Sequence, residues 1–207
     1  NMYLKGTRQT ERGAKGAVKA YAIAAAQHDP LTARKLVNTL LNSGVEVHQA
    51  KAQVVADGRV YGPGSFIVSM AQPKGGLVRW LLGRTFYPDN TYARDRDGNP
   101  IRPYDMATDT MFEFMGVRVE PVDEPVKADL AKVTAAIESP GKVAAGSAYT
   151  IDGRLNDAFQ AVNLLLDKGV AVRRVDRPTS SGLRAGDFLV AAGASAAVSD
   201  VARKTGA

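Results

Sequence analysis

The side chains in this sequence that could do chemistry are few, because its 207 residues include no cysteine and two histidines, His28 and His48. Disulfides, thiolate metal sites and a cysteine nucleophile are thereby excluded. A hydrolytic zinc site needs two or three His or carboxylate ligands at compatible spacing. Neither histidine stands in an H-x-x-E or H-E-x-x-H setting, since His28 precedes Asp29-Pro30-Leu31 and His48 precedes Gln49-Ala50-Lys51. No complete catalytic zinc site and no other cofactor is therefore expected within this chain. His28 falls in a loop after a predicted strand, a position from which α/β proteins present functional side chains, whereas His48 reads as a partly buried strand residue.

Three other arrangements have a chemical outline. Gly193-Ala194-Ser195-Ala196-Ala197 follows an apolar strand and opens a predicted helix, as a nucleophile elbow does, but its final Gly is replaced by Ala and no histidine follows. A helix N-cap accounts for Ser195 equally well. Lys74-Gly75-Gly76 ahead of a helix offers amides and a cation to an anion, yet lacks the fuller phosphate-loop pattern and reads as a turn. Asp95-Arg96-Asp97-Gly98-Asn99 holds calcium-like oxygens, but its glycine and its twelfth residue, Met106, do not fit a calcium loop, so an Asp-Gly turn is expected. Arg79, Arg84, Arg94, Arg96 and Arg102 run beside Trp80, Phe86, Tyr87, Tyr92 and Tyr104, a mixture also found on single-stranded nucleic acid. Asp89, Asp95, Asp97 and Asp105 interleave with them, which favours local salt bridging.

The elements that must carry these residues can be read from period and punctuation. Residues 20–26 (AYAIAAA) form an apolar run of strand length, followed by Gln27-His28-Asp29-Pro30. Helical spacing over residues 31–41 follows, with Asp29 placed to cap, Pro30 at the first helical position and Gly44 as the stop. Val45-Glu46-Val47-His48 then alternates like a strand. Strand, helix and strand over this length predict a crossover unit and a parallel pair. Asp57-Gly58 predicts a hairpin turn, residues 64–70 a buried strand and residues 77–82 a helix.

The second half repeats the first. Tyr21 and Ile23 correspond to Tyr149 and Ile151, Gly44-Val45-Glu46-Val47 to Gly169-Val170-Ala171-Val172, and Gly64-Ser65-Phe66-Ile67-Val68 to Gly186-Asp187-Phe188-Leu189-Val190. A helical pattern at residues 155–166 follows the polar loop Asp152-Gly153-Arg154. The expected fold is α/β, a mainly parallel sheet layered with helices in two quasi-repeated halves. The halves, about 20–85 and 142–207, are joined within a single domain by a long crossover, 86–141, with a helix at 106–115 and a strand at 117–119. Residues 128–137 are left open between helix and extended chain.

In open α/β sheets ligands bind at the carboxyl ends of the strands. That rule marks Gln27, His28 and Asp29 after the first strand, Gln72 after a second buried strand, and Tyr104 and Asp105 in the crossover as ligand-binding candidates. The alternative is that Asp29 caps a helix while Tyr104 and Asp105 brace the connection.

Charge narrows the partners. The chain carries 27 Lys and Arg against 21 Asp and Glu. Residues 1–19 hold Lys5, Arg8, Arg12, Lys15 and Lys19 against Glu11, and the remainder has 22 basic and 20 acidic groups. The excess thus sits on the leading segment, read as a basic linker from an upstream domain, and the nearly neutral body argues against a nucleic-acid partner. No apolar run approaches the roughly 18 residues of a spanning helix, so membrane insertion is not expected. The start at Asn1-Met2 suggests a processed tag on a fragment of a longer protein.

Residues 21–73, followed by Tyr87-Pro88-Asp89, Arg102-Pro103-Tyr104-Asp105 and Met115-Gly116-Val117, resemble the region downstream of the catalytic domain in large bacterial zinc carboxypeptidases of the carboxypeptidase A-like superfamily. The resemblance implies that the zinc ligands and catalytic glutamate lie in the missing upstream domain, that zinc is that domain's cofactor, and that the parent protein is exported and trims peptides. It also implies a fold similar to class I glutamine amidotransferases, whose essential cysteine has no counterpart here; this glutamine amidotransferase-like or flavodoxin-like arrangement agrees with the layered α/β sheet expected from the repeat. The function so implied is a non-catalytic accessory domain partnered with its own peptidase domain. The competing expectation is a freestanding small-molecule-binding module using the crevice at the strand carboxyl ends.

Overall fold

The computed structural model of the chain describes residues 1–84, 89–101 and 110–207. Residues 1–19, expected as a connecting segment, hold helix α1 (Met2–Lys15), whose first turn is capped by the Asn1 side chain accepting from the Tyr3 and Leu4 amides. Then follow β1 (Ala20–Ile23), α2 (Pro30–Asn42), β2 (His48–Ala50), β3 (Val54–Ala56), β4 (Arg59–Tyr61), β5 (Phe66–Ser69) and α3 (Gly75–Leu82). The connecting region carries α4 (Met111–Phe114), β6 (Val119–Val122) and β7 (Leu130–Lys132). The last part holds β8 (Ala148–Ile151), α5 (Asn156–Asp167), β9 (Val172–Arg174), β10 (Phe188–Ala191) and α6 (Ser195–Thr205).

The strands form a five-stranded sheet in the order β6-β1-β5-β2-β7, a three-stranded sheet β8-β10-β9 and the hairpin β3-β4. The architecture is mixed α/β, but the expected parallel sheet is corrected: among the described residues every strand pairing is antiparallel. β1 and β2 run in the same direction, as a strand-helix-strand unit requires, yet β5 lies between them and pairs with both. The cause is local. Asp57 and Gly58 both take positive φ (48° and 69°), the geometry of a two-residue hairpin turn, and this reversal together with Gly64 (φ 85°) returns the chain in the opposite sense. The returning segment, Phe66-Ile67-Val68, is buried on both faces and takes the centre of the sheet.

The internal repeat is preserved down to register. Tyr21 faces Val68 and Ile23 faces Phe66; Tyr149 faces Val190 and Ile151 faces Phe188. β8-β10-β9 thus reproduces β1-β5-β2. Both helices stop alike, with Gly44 and Gly169 at φ 75° and 73° and the Val45 and Val170 amides donating to the Leu40 and Leu165 carbonyls. Ser65 accepts from the Ala25 amide at 2.9 Å where the matching Asp187 accepts from Gly153 at 3.1 Å. The first copy is wider because β6 and β7, supplied by the connecting region, cover both of its edges. β7 also resolves residues 128–137, left open between helix and extended chain, as extended at Leu130–Lys132.

One face of the large sheet packs against α2 and α3. Leu36, Val37 and Leu40 meet Tyr21, Ile23 and Val68, with Val78 and Leu82 alongside. Full burial of each such Leu or Val is worth roughly 1.5–3 kcal/mol. On the other face the β3-β4 hairpin lays Val54, Ala56 and Tyr61 over Ala22, Ala50 and Ile67. The second sheet has its own core, where Ala158 and Leu165 of α5 and Val198 and Val201 of α6 cover Ile151 and Val190. α1 docks through glycine: a Cβ on Gly13 would fall 1.9 Å from the Met70 carbonyl oxygen, so only a glycine permits this approach.

Candidate functional site

The loop after β1 brings Gln27, His28 and Asp29 together, as their adjacency requires, but their roles diverge. Gln27 donates to the Ala24 carbonyl (2.9 Å) and the Arg118 carbonyl (3.0 Å) and accepts from the Arg118 amide (2.9 Å). It ties the loop to the entry of β6. His28 is exposed. Asp29 is buried and accepts from the Thr32 amide (2.9 Å), the Thr32 hydroxyl (2.7 Å) and the Asn156 amide (2.8 Å). Burial pushes its carboxyl up, but the hydrogen bonds from Asn156 and Thr32 together outweigh burial and hold it below the usual carboxylate range. A carboxylate engaged in this way is a structural anion, held at the positive ends of helices.

Gln72 is buried at the opposite end of the sheet. β5 runs antiparallel to β1, so the residues that follow Ser69 lie beside the start of β1 while Gln27 follows its end. The expected crevice therefore does not gather Gln72 with Gln27, His28 and Asp29. Gln72 instead accepts from the Glu46 amide (2.8 Å) and donates to the Glu46 carbonyl (3.1 Å) and the Ser69 carbonyl (2.7 Å), extending the sheet by a side-chain bridge. Tyr104 and Asp105 lie outside the described residues, as do Phe86, Tyr87, Arg102 and the first part of the helix expected at 106–115.

The other chemical outlines resolve into structure. Ser195 is exposed and opens α6 without making a side-chain cap, so it is not the expected cap, and among the described residues no hydrogen bond joins it to a histidine. Lys74-Gly75-Gly76 begins α3 under cover of α1: a Cβ on Gly76 would lie 3.1 Å from the Gln9 side-chain nitrogen. Asp95 accepts from the Asp97 and Asn99 amides at 2.9 and 2.8 Å, closing a turn. Arg94 grips Asp89 at 2.7 Å, the local salt bridging expected of that stretch, whereas Arg84 reaches beyond it to Glu113 at 2.8 Å. Among the described residues no group of three His, Asp or Glu side chains is placed to hold a metal ion, and no helix is long and apolar enough to cross a membrane.

Two features escaped the sequence reading. Asp152 is clasped by Arg154 and Arg184, each at 2.7 Å, and Arg184 also reaches Asp187 at 3.2 Å. The Arg154 hydrogen bonds above all drive the Asp152 carboxyl far below its ordinary range. Asp152-Gly153-Arg154 had marked a loop, but nothing in the spacing links it to Arg184. The second is a cleft of about 540 Å³ on the hairpin face of the large sheet, where Ala20, His48, Ile67, Ser69 and Leu130 form part of its lining. No spacing in the sequence marks it, because its lining comes from segments far apart in the chain.

Compared with protein-family models, with curated proteins and with solved structures, the chain matches none of them.

Proposed function

We propose that this chain is a non-catalytic accessory domain of a zinc-dependent metallocarboxypeptidase, the hydrolysis of peptides belonging to an upstream domain that holds the zinc. The observation that carries this reading is the fate of the polar residues at the strand ends. Gln27, Asp29 and Gln72 spend their hydrogen bonds on the chain's own backbone, and a group so engaged builds a scaffold rather than a reaction centre. The sequence resemblance over residues 21–117 supplies the identity of the parent. The likeness to glutamine amidotransferases enters as a layered α/β arrangement, with antiparallel pairing as its point of departure. α1, with Lys5, Arg8, Arg12 and Lys15 on a helix that leads into β1, is the natural side from which a preceding domain connects.

The test is a paired assay of this chain and the longer natural protein, measuring zinc by elemental analysis and release of C-terminal residues from a peptide panel. The expected result is a metal-free, inert chain and a zinc-bearing, peptide-trimming parent. Stoichiometric zinc or peptide cleavage by the chain alone overturns the proposal.

A further inference from the structure

The cleft on the hairpin face shares Ala20 and Ile67 with the core, but its polar side chains are ones the proposed accessory role does not use. The strand register sets Ala20 opposite Ser69 and His48 opposite Ile67, so all four share one face. The β3-β4 hairpin packs with Ala20, Ala22, Ala50 and Ile67 in one cluster, and the cleft opens beside it toward half-buried Ser69 and His48. Small side chains make the void, which at about 540 Å³ falls within the range of roughly 300–1,000 Å³ typical of small-molecule sites. Its apolar walls are Ile67, Pro125, Val126 and Leu130.

The polar side chains in the described lining are Lys19, His48 and Ser69. The Lys19 ammonium sits at the end of α1, giving hydrogen bonds to the Ala14 carbonyl at 3.0 Å and the Gly16 carbonyl at 2.6 Å. Both acceptors are neutral carbonyls, no carboxylate pairs with the ammonium among the described residues, and one N–H remains. Ser69 accepts from the Ala71 amide at 3.1 Å through its oxygen, which leaves the hydroxyl proton to give. His48, half-buried, adds a ring N–H. Lys132, beside His48 in register, is occupied by Glu46 at 3.1 Å. Among the described residues no acidic side chain is in the lining.

From a cation, a hydroxyl and an imidazole beside an apolar wall, we infer that this cleft binds a small free carboxylic acid with an apolar body. Its carboxylate lies toward Lys19, Ser69 and His48, and its hydrocarbon lies against Ile67, Val126 and Leu130. The inference is independent of the accessory role.

The experiment titrates the chain with 3-phenylpropanoate while recording amide shifts in ¹⁵N-resolved spectra, with 3-phenylpropanamide as the uncharged control. Saturable shifts at Ser69, Ala71 and Leu130 are expected for the acid, with the amide at least about tenfold weaker because it lacks the charge-assisted bonds. Ala128→Trp, at an exposed position in the lining, fills the cleft and removes the shifts without touching the core. Lys19→Met weakens the acid to the level of the amide. The inference is overturned by an absence of saturable shifts, by equal binding of acid and amide, or by binding that survives Ala128→Trp. Tighter binding of an acetylated peptide ending in phenylalanine than of the free acid also overturns it, since the site would then serve chain ends.

Discussion

The carboxylate of Asp29, on the loop after β1, accepts a hydrogen bond at 2.8 Å from the backbone amide of Asn156, 127 residues later at the first position of α5. The same side chain is the N-cap of α2. One anion thus serves the positive ends of two helices, one from each copy of the repeat. α5 has Leu155 at its own cap position, which offers no side-chain acceptor, and Asn156 returns a second bond from its side chain to the Thr32 hydroxyl at 3.1 Å.

Asp29→Ala is therefore expected to cost more than an ordinary cap. A single lost N-cap costs about 0.5–2 kcal/mol, and the orphaned Asn156 amide adds to it, for a total near 2–3 kcal/mol in urea unfolding. Hydrogen exchange checks the sharing, because amides in the first turns of both α2 and α5 should lose protection. Loss confined to α2 would refute it.

Acid should unfold the protein through the same group and through Asp152. Both carboxyls are depressed in the folded state, so their contributions are fully present above the unfolded value, about 3.9. They are lost as pH falls through the lower folded values. The urea midpoint is expected to hold between pH 7 and about 5 and to drop below about 4. Asp29→Asn, already weaker at neutral pH, should show a shallower fall, and an unchanged slope would remove Asp29 from the cause.

Lys35 of α2 meets Asp157 of α5 at 2.5 Å, and Asp157 is buried with its second oxygen unpartnered. Lys35→Met strands that carboxylate. The expected loss is about 2 kcal/mol, below the 3–5 kcal/mol of wholly buried pairs because Lys35 is more than half exposed. Lys35→Met with Asp157→Asn should recover much of it, and thermal melts of the two variants make the comparison.

Gly13 is the hinge of α1 docking. Gly13→Ala drives a methyl into the Met70 carbonyl, and overpacking of this kind costs about 1–3 kcal/mol. The damage should stay local, appearing as faster protease cleavage within residues 1–19 while the remaining melting transition is preserved. Unchanged cleavage would mean that α1 is held by other contacts.

Repeat markers made much of the fold legible. Tyr21 and Ile23, read against Tyr149 and Ile151, marked the two copies, and Asp57-Gly58 contained the hairpin; that each copy builds its own sheet is visible only in the structure. Strand direction was hidden because alternation and burial are the same whichever way a neighbour runs. Val119-Glu120-Pro121-Val122 gave weak strand signal for another reason: as an edge strand β6 tolerates a proline that a central strand would reject. The candidate site was legible as polar residues at strand ends and illegible as a set, since pairing direction decides whether Gln72 joins Asp29 or faces away from it. The cleft is lined from segments far apart in the chain, which no local pattern records.

The shared cap also bears on how the two copies of the repeat can be moved about. Residues 142–207 cut out and placed on another chain would begin α5 without an acceptor for Asn156 and would carry Asp157 without Lys35. Residues 20–84 taken alone would lose the edge strands β6 and β7 and present two bare flanks to any neighbouring strand. The copies look alike in sequence and are not interchangeable modules: a cut that separates them breaks bonds on both sides of it.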